Sequence, residues 1–244
     1  MVKVFVDFDG TVTKPDVGDA MFERFGGQEC LRAVEEYRMG SISAVECFRR
    51  ESAACHDVEK TDLDAFLDAQ EIDETFIPFA GFCKDRELDL TILSDGMDYY
   101  IMRILDRRGA GEVKFLANHL ELVPVNGFGR VRLEPAFPYT DEVCDRCACC
   151  KRNHILTRSA DEDVIVYVGE GYSNRCPARY ADVVFAKDEL LKYCRQENIS
   201  YFEYRAFSDV EERLRALLDK PGKRPALRKR RQAELARREA FIAE

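Results

Sequence analysis

One stretch near the start of the sequence, residues 4–13 (VFVDFDGTVT), constrains the fold more than any other. Its β-branched and aromatic residues predict a strand that is buried on both faces. The strand ends in Asp7 and Asp9, which point to the same side of an extended chain and therefore repel each other. Open α/β sheets bind ligands at the carboxyl ends of their strands, where a divalent cation would stabilise the two carboxylates together. The stretch predicts either a metal site or, more plainly, a buried strand that ends in an acidic turn.

The composition is that of an ordinary globular protein, because the 244 residues are 46% hydrophobic and 34% charged. No apolar run approaches the roughly 20 residues that a membrane-spanning helix needs. The N-terminus also has no signal-peptide pattern. Ten cysteines without such a signal favour a reducing compartment, so we expect a cytoplasmic protein that has no membrane partner.

Charge is distributed unevenly along the chain. The net charge is −9, but residues 220–244 carry nine lysines and arginines against three glutamates, which leaves a net charge of −15 on the rest. Such an acidic body disfavours general nucleic-acid binding, because phosphate backbones require a positive surface. The basic segment from Pro225 to Glu244 is expected to be a solvated helix, with binding to an acidic partner as the alternative.

Helical patterns follow the first strand and predict a helical insert over residues 14–79. Two pairs of residues resemble capping boxes at the starts of its helices: Ser43 with Glu46 and, more weakly, Thr61 with Asp64. The insert is expected to end near Pro78 and Gly81, because proline and glycine commonly interrupt helices.

The α/β pattern resumes after the insert. Further buried strands are predicted over residues 88–93, 164–168 and 183–186, and helices over residues 99–105 and 189–197 and after a cap formed by Ser208 and Glu211. Residues 113–123 and 128–133 flank Asn126 and Gly127 and predict an irregular β-hairpin. Strands that alternate with helices form parallel sheets with right-handed crossovers, so we predict an α/β fold.

Three predicted strand ends carry residues that suit phosphoryl transfer. They are Asp7 with Asp9, Ser94-Asp95-Gly96, and residues 169–174 (GEGYSN), while Lys151 opens the helix between the last two. A carboxylate can act as the nucleophile, and a hydroxyl with backbone amides can hold phosphate. A lysine and a metal ion can neutralise the phosphoryl oxygens, and Mg²⁺ suits oxygen ligands of this kind.

This order of residues resembles the haloacid dehalogenase superfamily over about residues 1–215. Asp7-Phe8-Asp9-Gly10-Thr11-Val12 is similar to its first motif, and Ser94, Lys151 and Gly169-Glu170-Gly171 are similar to its second, third and fourth. The helical insert lies where the superfamily carries its C1-type cap. The resemblance implies a Rossmann-like core domain over residues 1–13 and 80–218, a helical cap domain over 14–79, and a basic C-terminal helix or tail over 219–244.

The resemblance also implies a role for each motif residue. Asp7 would be the nucleophile that forms an aspartyl phosphate, and Asp9 the general acid and base, which favours a phosphatase over a dehalogenase. Ser94, Asp95 and the Gly96 amide would hold phosphate, and Lys151 would steady the nucleophile and the phosphoryl group. Mg²⁺ would bind to the Asp7 carboxylate, the Asp9 backbone carbonyl and Glu170.

Within the superfamily the sequence is most similar to the phosphoserine-phosphatase-like group. Residues 92–100, 147–151 and 181–187 resemble the methionine-salvage phosphatases that act on 2-hydroxy-3-keto-5-methylthiopentenyl-1-phosphate. The likeness to phosphoserine phosphatase implies substrate contacts at Asp16 and Arg49, for which a solvated helix face is the alternative at Arg49. We expect a small phosphorylated metabolite as the substrate, with phosphoserine as the alternative to a methionine-salvage compound.

The fourth motif departs from the superfamily at Glu170 and Asn174, which stand where aspartates are usual. Glutamate keeps the charge but adds a methylene, and Mg²⁺ demands near-octahedral geometry, so the helix or the ion must shift. Asn174 lacks the charge and could hold a metal-bound water through its amide oxygen. We expect weaker metal binding, with a catalytically impaired phosphate-binding protein as the alternative.

A cysteine-rich stretch directly precedes Lys151 and contains Cys144, Cys147, Cys149 and Cys150. Four thiols this close could bind zinc, with His154 as a further candidate ligand. Structural zinc sites usually take their ligands from two separated pairs, however, and no second pair is spaced to match. A buried loop that braces Lys151 is therefore the favoured interpretation.

Overall fold

The computed structural model describes residues 1–125, 127, 129–142, 144, 146–219 and 227–242. The strands, in chain order, are β1 (Val2–Val6), β2 (Val58–Glu59), β3 (Asp89–Met97), β4 (Lys114–Val125), β5 (Arg130–Ala136), β6 (Val164–Gly169), β7 (Val183–Ala186) and β8 (Phe202–Glu203). The helices are α1 (Val17–Gly26), α2 (Gln28–Arg38), α3 (Ala44–Ala54), α4 (Lys60–Asp68), α5 (Phe76–Asp85), α6 (Asp98–Arg107), α7 (Lys151–Arg158), α8 (Arg175–Tyr180), α9 (Asp188–Gln196), α10 (Phe207–Leu218) and α11 (Arg231–Ile242).

The chain forms two compact units. The first comprises Met1–Asp7, Asp73–Leu93 and Lys151–Glu244, and the second comprises Phe8–Ile72 and Ser94–Cys150. The chain therefore passes from one unit to the other at the peptide bonds that follow Asp7, Ile72, Leu93 and Cys150. The division into core, cap and tail at residues 13, 79 and 218 stays a prediction.

The first unit is built on a parallel sheet with the strand order β3-β1-β6-β7-β8. Parallel strands are covered on both faces and are apolar throughout, and Val4, Val6, Val166 and Val168 in β1 and β6 are accordingly fully buried. The α/β fold predicted from the sequence is confirmed. Asp7 follows β1 directly, and Glu170 follows β6, so both acids stand at carboxyl ends of adjacent strands.

The second unit contains helices and a small antiparallel sheet. β4 and β5 form the predicted hairpin, in which Val125 lies opposite Arg130, while Asn126 and Phe128 lie outside the described residues. The insert over residues 14–79 carries α1 to α4 and, in addition, the two-residue strand β2, which pairs with β5.

α5 runs through Pro78 and Gly81, where the sequence pattern predicts the end of the insert. Pro78 is the third residue of the helix, and an N–H in the first turn needs no helical partner. Phe76 and Phe79 pack on Phe207 with ring centroids 5.0 and 5.2 Å apart. Burial of these rings outweighs the roughly 1 kcal/mol that a glycine inside a helix costs.

Of the predicted helix caps, that of α3 is confirmed, because the Ser43 side chain accepts a hydrogen bond from the Glu46 N–H at 3.2 Å. The cap predicted for α4 is wrong. The helix begins at Lys60, and Asp64 accepts a 2.6 Å hydrogen bond from Lys60 Nζ one turn away instead of capping the backbone. An ion pair between side chains has therefore replaced the cap.

The predicted cap of α10 is displaced by two residues. The helix begins at Phe207, before Ser208, and Asp209 accepts a 3.3 Å hydrogen bond from the Ala206 N–H. Glu211 lies further along the helix and forms an ion pair with an arginine. An aspartate in the first turn stabilises the start of the helix more than the predicted serine would, because it accepts hydrogen bonds from N–H groups and its negative charge also interacts favourably with the helix dipole.

The prediction of a solvated C-terminal segment is wrong for α11. Arg237 Nη2 lies 3.0 Å from the buried carboxylate of Asp182, and Ala233 is fully buried. α11 packs against α8, and the Arg230 N–H also donates to Asp182 at 2.9 Å. Lys220, Pro225 and Glu244, which lie at the ends of the basic segment, are outside the described residues.

Candidate active site

In the first unit, Asp7 and Lys151 form a buried ion pair. Lys151 Nζ lies 2.7 Å from Asp7 Oδ1, and neither residue is more than 6% exposed. The same ammonium donates to Ser173 Oγ at 3.1 Å and to Asn174 Oδ1 at 3.2 Å. Its three N–H groups are thus matched by three acceptors, as a buried ammonium requires.

Asn174 holds the other oxygen of the same carboxylate. Its Nδ2 lies 2.5 Å from Asp7 Oδ2, and its Oδ1 accepts hydrogen bonds from the Tyr167 hydroxyl and from Lys151. The amide is therefore used to fix Asp7. A metal ligand role for Asn174 stays a prediction, and it would compete with these hydrogen bonds. A side chain at Gly169 would approach Asn174 to 2.8 Å, which explains the glycine.

Glu170 is half-buried, and burial raises its pKa to about 7. The Asp7 and Asp188 carboxylates raise this pKa further, whereas Lys187 opposes the shift. Two carboxylates that influence each other in this way are hard oxygen donors whose repulsion a divalent cation would relieve. The donor set of Asp7 and Glu170 therefore fits Mg²⁺.

In the second unit, Asp9 lies at the N-terminus of α1. Its Oδ1 accepts hydrogen bonds from the N–H groups of Val17 and Gly18, both at 3.2 Å, as anions commonly do at helix N-termini. Its Oδ2 accepts from the Tyr100 hydroxyl at 2.8 Å and from Ser94 Oγ at 3.3 Å. These four donors fix the position of the carboxylate.

Ser94, Asp95 and Gly96, which the sequence predicts as a turn after the strand, lie within β3 instead, because this strand continues to Met97. The three residues are tightly held within the second unit. Gly96 N donates to Ser94 Oγ at 2.9 Å, and Asp95 Oδ1 accepts from the Cys149 N–H at 2.9 Å. A methyl group at Gly96 would lie 1.8 Å from the Tyr100 hydroxyl oxygen, so only glycine fits there. The predicted binding of phosphate by these three residues stays a prediction, and it would compete with the hydrogen bonds of the Gly96 N–H and the Ser94 hydroxyl.

The two candidate substrate contacts have other partners in the structure. Asp16 is exposed and caps α1, where it accepts a 2.9 Å hydrogen bond from the Asp19 N–H. The guanidinium of Arg49 lies over the Phe137 ring, 5.7 Å from its centroid. Contacts between these residues and a substrate stay predictions.

Sequence reasoning missed two tyrosines: Tyr100 donates to the Asp9 carboxylate, and Tyr167 donates to the amide oxygen of Asn174. Each lies among apolar residues, Tyr100 on α6 and Tyr167 in β6, and each is fully buried. A buried tyrosine needs a partner for its hydroxyl, and that requirement is the signal that could have identified both. Burial, reinforced by the Asp9 charge, holds the pKa of Tyr100 well above its usual range, so its hydroxyl stays a donor.

The structure thus brings the candidate residues together in two clusters. Asp7, Lys151, Asn174 and Glu170 belong to the first unit, and Asp9, Ser94, Asp95 and Gly96 belong to the second. Among the described residues, no helix is both long and apolar enough to cross a bilayer.

Comparison with known proteins assigns the chain to a family. A family model described as "Putative Phosphatase" matches residues 2–216. The chain belongs to this phosphatase family. The predicted membership of the haloacid dehalogenase superfamily is confirmed, and this phosphatase is a phosphoric monoester hydrolase.

Two curated relatives match the phosphatase over almost its whole length. Pdp3-interacting factor 1 of Schizosaccharomyces pombe is 28% identical over 222 residues, which are 88% of this chain and 95% of the relative. The 2-hydroxy-3-keto-5-methylthiopentenyl-1-phosphate phosphatase of Bacillus cytotoxicus is 27% identical over 225 residues, 89% of this chain and 98% of that enzyme.

Solved structures support the fold of the phosphatase. A phospho-aspartyl intermediate analogue of phosphoserine phosphatase matches with a TM-score of 0.65 at 16% identity, covering 87% of this chain and 98% of that one. A haloacid dehalogenase family hydrolase from Salmonella enterica matches with a TM-score of 0.66 at 16% identity, covering 85% and 69% of the two chains. Because these identities are low, the likeness applies to the fold.

Proposed function

We propose that this protein is a Mg²⁺-dependent phosphatase of small phosphorylated metabolites that works through a phosphoryl group on Asp7. The observation that carries the proposal is the fixed Asp7 carboxylate, which Lys151 and Asn174 hold by one oxygen each. A carboxylate fixed in this way is ready to attack phosphorus without first reorganising.

We also propose that both clusters act on one phosphoryl group. The superfamily resemblance supports this, because it assigns residues of both clusters to a single reaction.

The reaction would proceed in two balanced steps. An Asp7 oxygen forms a bond to phosphorus while the ester bond breaks, and the protonated Asp9 gives its proton to the leaving oxygen. Asp9 then takes a proton from a water molecule, whose oxygen attacks the phosphorus and releases Asp7 and inorganic phosphate. Lys151 would hold Asp7 and offset the charge of the phosphoryl group, and Ser94, Asp95 and the Gly96 amide would hold its oxygens.

The residues that would hold Mg²⁺ are Asp7 and Glu170, together with the Asp9 carbonyl that the superfamily resemblance implies. When bound, Mg²⁺ supplies positive charge that offsets the negative charge of the phosphoryl oxygens.

As substrate class we propose a phosphorylated methylthio-ketose, which the Bacillus relatives are named for. The Bacillus cytotoxicus enzyme is 27% identical over 89% of this chain, whereas a phosphoserine phosphatase shares its fold over 87% of this chain at 16% identity. Phosphoserine is disfavoured further because Asp16 caps a helix and Arg49 lies over an aromatic ring. We place the enzyme in the cytoplasm, without a nucleic-acid partner.

A phosphate-release screen with Mg²⁺ tests the proposal. The panel contains methylthio-ketose phosphates, phosphoserine and phosphoethanolamine. We expect release from the first class, reversible loss of release with EDTA, and a beryllofluoride adduct on Asp7. Asp7→Asn should abolish both release and adduct, whereas Asp57→Asn, at an exposed ion pair with Arg130, should leave them unchanged.

Three outcomes would contradict the proposal. Steady activity of Asp7→Asn or of the EDTA-treated enzyme would refute the mechanism. Phosphate binding without release or adduct would indicate the catalytically impaired alternative. Salt-sensitive RNA or DNA binding that disappears on truncation after Lys220 would indicate a nucleic-acid adaptor instead.

A further inference from the structure

Three thiols in the cysteine-rich stretch meet at one point. The sulfur atoms of Cys144, Cys147 and Cys150 all lie within 4.8 Å of one another, and Cys144 Sγ is 3.5 Å from Cys147 Sγ. A disulfide requires about 2.05 Å between its sulfurs, so the closest of these distances is not that of a bond. Within the described ranges, we looked for places where three or more His, Cys, Asp or Glu side chains bring their ligand atoms close enough to hold one metal ion. These three cysteines form such a group.

The spacing of the sulfurs fits a single tetrahedral ion. With Zn–S bonds of about 2.3 Å, the edge of a tetrahedron of sulfurs is about 3.8 Å, close to the 3.5 Å between Cys144 and Cys147. Three points that are all within 4.8 Å of one another share a centre no more than about 2.8 Å from each. An ion at that centre needs only a small inward movement of the side chains.

The backbone around the thiols is folded as a buried loop without regular secondary structure. Cys147, Ala148, Cys149 and Cys150 are at most 2% exposed, although no helix or strand includes them. Buried loops need other partners for their backbone groups, and here the Cys150 N–H donates to the Tyr139 carbonyl at 2.7 Å. A metal ion bound to the thiols would stabilise the folded form of such a loop.

We propose that Cys144, Cys147 and Cys150 bind a structural zinc ion as three thiolates. Zinc binding displaces the three thiol protons to solvent and forms three Zn–S bonds, with no change of oxidation state. Cys144 is partly exposed, and a water molecule would complete the fourth position. All three protein ligands come from one loop with the spacing Cys-x-x-Cys-x-x-Cys, which differs from the two separated pairs that are usual in structural zinc sites.

The zinc ion would brace the end of β3, which carries the residues proposed to hold phosphate. Cys149, which lies between two of the ligands, donates its N–H to Asp95 Oδ1 at 2.9 Å. Lys151 follows Cys150 directly in the chain. The site is separate from the proposed Mg²⁺ ligands, which are carboxylates and a carbonyl, because thiolates select zinc and not magnesium.

Metal analysis of the full-length protein, purified under reducing conditions after growth with added zinc, tests this proposal. We expect about one zinc per chain, and about a tenth of that or less in Cys147→Ser. Cys149→Ser is a matched control from the same loop, and Cys176→Ser is a control from α8; both should keep their zinc. Asp7→Asn and Glu170→Gln should also keep it, which separates this site from the proposed Mg²⁺ site.

Two measurements on the unaltered chain keep the test decisive if Cys147→Ser does not fold. Cobalt added to the metal-free protein should produce thiolate-to-cobalt charge-transfer absorption and the visible bands of a tetrahedral ion. Zinc should raise the midpoint of thermal unfolding of that protein. Absence of zinc and of these cobalt bands, copper in place of zinc, a disulfide among the three cysteines, or equal zinc in Cys147→Ser would each overturn the proposal.

Discussion

Replacing Tyr100 with phenylalanine should weaken catalysis by altering Asp9 without removing it. The Tyr100 ring is fully buried, and its hydroxyl lies 2.8 Å from Asp9 Oδ2. Phenylalanine fills nearly the same volume, so the change mainly removes this hydrogen bond. A hydrogen bond to a charged group contributes about 1.5–3 kcal/mol, which corresponds to about one to two units of pKa.

The sign of the effect follows from which form of Asp9 the hydroxyl stabilises. The hydroxyl donates to the ionised carboxylate, so its loss should raise the pKa of Asp9. The limb of the pH–rate profile that depends on ionised Asp9 should therefore move by about one to two units toward higher pH. At pH values below the pKa of Asp9 in the unaltered enzyme, kcat should fall by about tenfold for each unit of the shift.

Tyr99→Phe is the matched control, because Tyr99 is the neighbouring residue and donates to Asp64 at 2.5 Å. Steady-state phosphate release is measured across the pH range for both variants and the unaltered enzyme, with folding checked by circular dichroism. A Tyr100→Phe enzyme whose profile and kcat match those of Tyr99→Phe would refute this account of how Asp9 is held.

Three further changes test other parts of the structure. Gly96→Ala should reduce kcat by about 100-fold in the phosphate-release assay, because the new methyl group would lie 1.8 Å from a buried tyrosine oxygen; activity near that of the unaltered enzyme would contradict this. Glu51 is 2% exposed, and burial raises its pKa from 4.5 to about 9. Between these two pH values the folded protein keeps a proton on Glu51 that the unfolded chain releases, so the folded state loses stability as the pH rises, by about 3 kcal/mol at pH 7. Glu51→Gln should therefore flatten the decline in denaturant stability between those pH values, and an unchanged decline would argue against it. Arg237→Ala should destabilise the protein by about 3 kcal/mol in urea unfolding, because it leaves the buried Asp182 carboxylate without its ion-pair partner. The control Arg238→Ala changes an exposed residue of the same helix and should cost less than about 0.5 kcal/mol. Equal effects of the two changes would contradict the packing of α11 against the protein.

The α/β fold and the motif residues could be predicted because they depend on local patterns. The valine-rich runs of β1 and β6 are buried on both faces, and such runs stand out against polar surroundings. Asp7 and Lys151 were recognisable from residue type and order along the chain. Their 2.7 Å ion pair joins residues 144 positions apart, so spacing alone could not have supplied the geometry.

The contacts that fix the carboxylates could not be predicted, because they depend on which side chains meet in three dimensions. The sequence suggests Asn174 as a weakened metal ligand, whereas its amide lies on Asp7 and its oxygen accepts from Tyr167. The basic composition of α11 suggests a solvated helix, whereas Arg237 has a buried partner 55 residues earlier. In both cases a polar side chain bonds to another residue of the same protein, and the composition of the sequence does not indicate which polar side chains do so.

The enclosure of Lys151 has a consequence for the entropy of the reaction. A lysine side chain loses up to about 2 kcal/mol of rotamer freedom when it is immobilised. Here the ammonium is held by three acceptors at the end of a fully buried stem, so that ordering takes place as the chain folds. A phosphoryl group that arrives at Asp7 would therefore meet a cation already confined to one conformation, and the barrier to transfer would contain almost no contribution from restricting this side chain.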